Sequence, residues 1–245
     1  MAATFNKLIK AARDGDEVEC ARLLKLKTAD IHKKDKRGDS SILAASSQGH
    51  VNVVELLLSK GANINDKDND GTSSIIWASY LGNVNVVKLL LSKGANINDK
   101  DNHDRSSITL ASQQGHVNVV ELLLSKGANV NDKNNNGVSS IIAASSEGHV
   151  NIVELLLSKG ANINDVDSDG DTAMSVTSSD KIKYILRKWP ITMAILILKE
   201  LDLYYLYDAS TLTDLYQYMG REDFTADNEA DYVMDDDDDD EEEAF

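Results

Sequence analysis

Three stretches of the chain place oxygen-bearing side chains at the spacing of a calcium loop: Asp66-x-Asp68-x-Asp70-Gly71, Asp132-x-Asn134-x-Asn136-Gly137 and Asp165-x-Asp167-x-Asp169-Gly170. A calcium loop closes on a bidentate glutamate at its twelfth position. Here that position holds Trp77, Ala143 and Val176. The spacing is therefore read as turn chemistry, and no metal is assigned. His50, His116 and His149 recur at one interval, with Asn83 in the matching place of a further copy, which suits a hydrogen-bonding role inside each copy. Histidine and cysteine pairs at zinc spacing are missing, no nucleophile has a neighbouring candidate base, and the glycines form no phosphate-cradling loop. Cys20, the one cysteine, closes no internal disulfide. It points to a reducing compartment and is expected to be a small buried side chain. Neither a catalytic residue nor a cofactor is expected, and the chain is not read as an enzyme.

The elements that carry these residues are copies of one another. Gly49, Gly82, Gly115 and Gly148 are 33 residues apart, and so are Gly61, Gly94, Gly127 and Gly160. Between them the phrase from Gly49 to Gly61 is nearly repeated. Asn52, Glu55 and Ser59 fall at i, i+3 and i+7, one narrow wet stripe on a helix. Val51, Val53, Val54, Leu56, Leu57 and Leu58 cover the rest of the circumference, as expected of a helix flanked by its own copies. Gly61 ends it, because glycine takes the left-handed cap without steric cost.

A shorter helix precedes each of these, over Ser40 to Ser47, Ser73 to Tyr80, Ser106 to Gln113 and Ser139 to Ser146. The leading serines are expected to cap it through their hydroxyls, and Ala44, Ala45, Ala78, Ala111, Ala143 and Ala144 to allow close packing. The Asn, Asp and Gly of Ala62 to Gly71 and its copies predict a projecting hairpin after each helix pair.

These residues resemble the ankyrin-repeat family, whose unit of this length is a turn plus two helices. The resemblance covers about Phe5 to Lys188. It implies an all-α solenoid of helix-turn-helix units with projecting β-hairpin loops. The family's Thr-Pro-Leu-His phrase is Ser40-Ser41-Ile42-Leu43 or Ser73-Ser74-Ile75-Ile76 here, without the proline and histidine. The expected organisation is an amino-terminal capping repeat over 1–37, four full repeats over 38–169, a shortened repeat over 170–188, a helical cap over 189–220 and a disordered acidic tail over 221–245. Trp189-Pro190 is expected to stop the last repeat helix, with two further helices over Ile191 to Tyr207 and Leu212 to Met219.

Charge bounds the partners. All 25 Lys and Arg lie at or before Arg221, whereas 14 of the 41 Asp and Glu lie from Glu222 to Glu243. The body is thus nearly neutral and has no basic stripe, so nucleic acid is not expected as a direct ligand. No apolar run approaches a membrane span, and a monomer inside the cell, cytoplasmic or nuclear, is expected. The run Asp235 to Glu243 supplies the alternative reading, a tail that binds basic proteins such as histones.

The copies differ where scaffold is not needed. Asn69, Asp70 and Thr72 become Asn102, His103 and Arg105, then Asn135, Asn136 and Val138. On the first helix Trp77, Tyr80 and Leu81 become Leu110, Gln113 and Gln114, then Ala143, Ser146 and Glu147. The resemblance implies that loop tips and first helices line the concave face that binds a partner protein. Trp, Tyr and Arg dominate binding hot spots. Trp77, Tyr80 and Leu81 are the expected anchors, with His103 and Arg105 beside them. Scaffold, adaptor and regulatory or targeting subunit are the roles the resemblance implies; it also makes Asn65, Asn98, Asn131 and Asn164 candidate substrates of an asparagine hydroxylase.

Overall fold

Twelve helices follow one another in the computed structural model, which describes residues 2–26 and 30–200; no sheet is present among those residues. They come in pairs: α1 (Ala2–Asp14) with α2 (Glu17–Leu24), α3 (Ser41–Ser47) with α4 (Val51–Ser59), and α5 (Ser74–Tyr80) with α6 (Val84–Ser92). The series continues with α7 (Ser107–Gln113) and α8 (Val117–Ser125), α9 (Ser140–Ser146) and α10 (Val150–Ser158), α11 (Ala173–Val176) and α12 (Asp180–Glu200). The chain divides between Arg187 and Lys188, and all the repeated pairs fall in the first unit.

Apolar spacing explains the stacking. In α4 the side chains of Val53, Val54 and Leu57 are buried, and so are Val86, Val87 and Leu90, Val119, Val120 and Leu123, and Ile152, Val153 and Leu156 in the helices that follow. Each such side chain contributes roughly 1.5–3 kcal/mol by leaving water. First helices pack on first helices, from α1 and α3 through to α9 and α11, and second helices on second helices from α2 to α10. Asn52, Glu55 and Ser59 stay exposed, as the stripe requires. The buried alanines of the first helices let the two layers approach. At the amino-terminal end α2 carries Glu17, Glu19 and Arg22 in the places of Val51, Val53 and Leu56, and Arg22 Nε donates to Glu19 Oε2 at 2.6 Å. Polar side chains fit there because no helix precedes α2 in its layer among the described residues.

Turns depend on glycine at two kinds of place. Gly61, at φ 89°, follows the last helical residues of α4 in the left-handed region. Gly115 has φ 81° and also admits the ring of His149, since a Cβ there would lie 2.7 Å from His149 Cε1.

Three expectations need correction. The leading serines stand at the amino-terminal cap in extended conformation, but Ser40, Ser73, Ser106 and Ser139 make no side-chain cap bond. Their hydroxyls are packed between copies, and only that of Ser106 finds a partner, Thr109 Oγ1 at 3.1 Å. The hairpins are loops closed by isolated antiparallel bridges, Lys67 with Ser73, Lys100 with Ser106, Lys133 with Ser139 and Val166 with Thr172, not paired strands. Pro190 does not stop a helix: α12 continues through it to Glu200. One missing N–H costs a single backbone bond, and strong helix formers on both sides keep the turn sequence going. The expected residues beyond Glu200, including Leu212 to Met219 and the acidic tail, lie outside the described residues.

Candidate protein-binding face

Each loop is organised by one side chain. Asp68 Oδ1 accepts from the amides of Asp70 at 3.0 Å and Thr72 at 2.8 Å, and Asp101 Oδ1 does the same for His103 and Arg105 at 2.9 Å. Asn134 and Asp167 repeat the pattern. The carboxylates that mimic a calcium loop are thus spent on backbone amides. Among the described residues no group of three or more His, Cys, Asp or Glu side chains converges as metal ligands would.

The second oxygen of this carboxylate meets whatever side chain has changed nearby. Arg105 Nε donates to Asp101 Oδ2 at 2.6 Å, and the Trp77 indole Nε1 donates to Asp68 Oδ2 at 2.8 Å. Trp77 is half-buried. Ala44, Leu110 and Ala143, which hold its place in other copies, are buried, so an indole there fills the packing position and extends to the loop. Its ring meets Tyr80 edge to face, with centroids 6.0 Å apart and planes at 75°. Tyr80 is half-buried, and Leu81 next to it is 42% exposed.

The expected residues therefore form two rows. Loop tips Asn69 and Asp70, Asn102 and His103, and Asn135 and Asn136 are exposed, as are the helix-end residues Gln113, Gln114, Ser146 and Glu147. Adjacent tips are bonded to one another: the amides of Asn69, Asn102, Asn135 and Ser168 donate to the carbonyls of Arg37, Asp70, His103 and Asn136 at 2.8–3.1 Å. Trp77 joins the rows by touching the loop with its nitrogen and the helix end with its ring. Arg105 and Val138 are half-buried. Thr72 departs from the expectation: it is 5% exposed, because its amide and carbonyl are both tied to Asp68 at the base of the loop, and it does not belong to the accessible set.

The histidines have the internal role read from their recurrence. Nε2 of His50, His116 and His149 lies 3.0 Å from the carbonyls of Arg13, Tyr80 and Gln113 in the preceding copy, and Asn83 Nδ2 donates to those of Ser46 and Ser47 at the same distance. A carbonyl only accepts, so Nε2 carries the proton. Asn65, Asn98, Asn131 and Asn164 are exposed on the loops, each with its amide bound to the asparagine two residues before it.

Two features escaped the sequence reading. Lys34, Lys67, Lys100 and Lys133 each donate from Nζ to the carbonyl of the residue 33 positions on, and the last three also pair with Asp99, Asp132 and Asp165 at 2.7–3.0 Å. The 33-residue lysine series, which ends at Val166, was the available signal. The other is Asp104, at φ 56° the sole non-glycine with positive φ among the described residues, in a place where the sister loops have Gly38, Gly71, Gly137 and Gly170.

Paired helices, bridge-closed loops and tip-to-tip bonding in a 33-residue register define a helical repeat array built for surface contact. The family model for ankyrin repeats (three copies) matches residues 8–101 and 98–167, and the chain belongs to the ankyrin-repeat family. A comparison with curated proteins finds no match. Ankyrin repeats are in general protein–protein interaction modules and typically non-enzymatic scaffolds. No helix of the described residues is long and apolar enough to cross a membrane.

Proposed function

We propose that this chain is a non-enzymatic adaptor that holds a partner protein against the two rows, with Tyr80 and Leu81 as the central anchors and Trp77 as their support. The observation that carries the reading is the pairing of an exposed leucine with an edge-to-face Trp–Tyr contact at a place where other copies carry glutamine, serine or glutamate. Burying such a cluster in a partner supplies binding energy that polar tips do not. Asn69, Asp70, Asn102, His103, Asn135 and Asn136 contribute from the tips, and Gln113, Gln114, Ser146 and Glu147 from the helix ends. Arg105 and Val138 act at the loop bases. The array over 1–188 is the binding body in this reading, 189–220 its helical end and 221–245 an acidic tail; the molecule works as a monomer inside the cell.

The test is affinity capture with the full chain and with Tyr80→Ala/Leu81→Ser, at low and high salt, with bound proteins identified by mass spectrometry. Proteins held by the unaltered chain and lost from the double variant, whose helix content is unchanged by circular dichroism, support the face. A set of partners identical for both chains sinks it. The run Asp235 to Glu243 supports a second reading, in which the tail attracts basic proteins. Partners bound that way survive the double variant and leave at high salt, because exposed charges are screened beyond about 8 Å at physiological ionic strength.

A further inference from the structure

The side chains around Tyr80 and Leu81 define what a bound segment must carry, granted that the two rows are the binding face. Across the loop tips and first-helix ends from Asn69 to Asp169, the exposed charged residues are Asp70, Asp104, Glu147 and Asp169. Arg105 is the one Lys or Arg there, and its guanidinium is already matched by the wholly buried carboxylate of Asp101 at 2.6 Å. The face is therefore acidic around an aromatic and aliphatic centre. Asp104 adds an independent observation. A left-handed conformation costs an L-residue free energy that glycine does not pay, and four sister loops use glycine. An exposed carboxylate retained against that cost, at the tip bonded to the neighbouring loop of Asp70, marks a side chain that is used. Asp104 lies one copy beyond Tyr80, roughly 10–15 Å away at the usual spacing of packed helices, which four or five residues of extended chain span.

We propose that the face takes an extended peptide segment that sets an aromatic or branched aliphatic side chain against Tyr80 and Leu81 and a lysine or arginine against Asp104. The probe is a displayed library of random twelve-residue peptides selected on the full chain. It is depleted on full-chain Tyr80→Ala and, separately, Leu81→Ser, which keep the acidic tail and so remove peptides that bind the tail alone. Peptides that survive carry an apolar anchor with a basic residue about four or five positions away. A synthetic peptide of that sequence binds Asp104→Asn about 2- to 5-fold more weakly, as loss of an exposed ion pair predicts, and the difference shrinks at high salt. Asp104→Gly weakens the same peptide while raising the melting temperature, a combination that a purely structural role for Asp104 does not produce. Surviving peptides without a basic residue, or equal binding to the unaltered chain, Asp104→Asn and Asp104→Gly, overturn the assignment of a basic partner and leave the anchor standing. If no peptide survives depletion, the binding face itself is wrong.

Discussion

Single side chains in this protein are dominated by burial more than by charge. The Cys20 thiol is fully buried, and desolvation, followed by the carboxylates of Asp16, Glu19 and Glu17, pushes its pKa up to about 11. At pH 8 only about one thiol in a thousand is ionised, so iodoacetamide is expected to leave the folded chain unmodified and to add one group per chain after unfolding in urea. Rapid labelling of the native protein would refute this. Asp39 makes the same point against intuition. Arg13 and Arg37 both bond its carboxylate, at 3.0 and 2.7 Å, yet its pKa is raised, because burial outweighs the two guanidinium groups. A raised carboxyl pKa means that its contribution to stability is fully present below its unfolded value and is lost as pH rises through the folded value. Asp39→Asn is therefore expected to leave the urea midpoint at pH 7 unchanged or higher, and a clear fall would show that the ion pairs prevail.

Between elements, the interfaces of the first helices carry an unusual load of hydroxyls. Ser41, Ser46, Ser74, Ser79, Ser107, Ser112 and Ser145 are buried with no partner for Oγ, in addition to the leading serines. Only Thr109, which replaces Ile76 and Ile142 of its neighbours, relieves this locally: its hydroxyl lies 3.1 Å from Ser106 Oγ and 3.5 Å from Ser140 Oγ in the next copy. Thr109→Val keeps the shape and removes the link, which should cost about 1–2 kcal/mol in equilibrium denaturation. Ser79→Ala removes a hydroxyl that has no partner and should stabilise by about 1 kcal/mol. Opposite signs for the two substitutions are the decisive outcome. The lysine series offsets part of this load, since each Nζ fastens a loop to the next one.

The array as a whole makes contacts only between neighbouring copies, so its stability is close to a sum of repeat and interface contributions. Leu90 is fully buried in α6, in the middle of the array. Leu90→Ala should cost about 2–5 kcal/mol and divide unfolding into two stages, read by hydrogen exchange as early loss of protection in α5 to α8. Leu23→Ala, an equal truncation in α2, should instead fray the amino-terminal pair alone. Uniform loss of protection along the chain in both variants would mean that the copies fold as one unit. Asp104, Tyr80 and Leu81 belong to this scale too, because the face they form exists only when adjacent copies stand in register.

The sequence by itself determined the copy length, the helix pairs, the buried positions of the second helices and the internal role of His50, His116 and His149. Repetition makes each of those choices four times over, and a period of 33 residues with a glycine at each cap admits one arrangement. Tertiary structure decided which variable residues are accessible. Thr72 and Asp70 vary together in sequence, but the bonds to Asp68 turn one inward and leave the other exposed. It also decided that Trp77 supports Tyr80, that the serines pack where caps were expected, and that a helix runs through Pro190. These outcomes depend on what faces a side chain across the boundary between copies, and local spacing along the chain does not encode that neighbour.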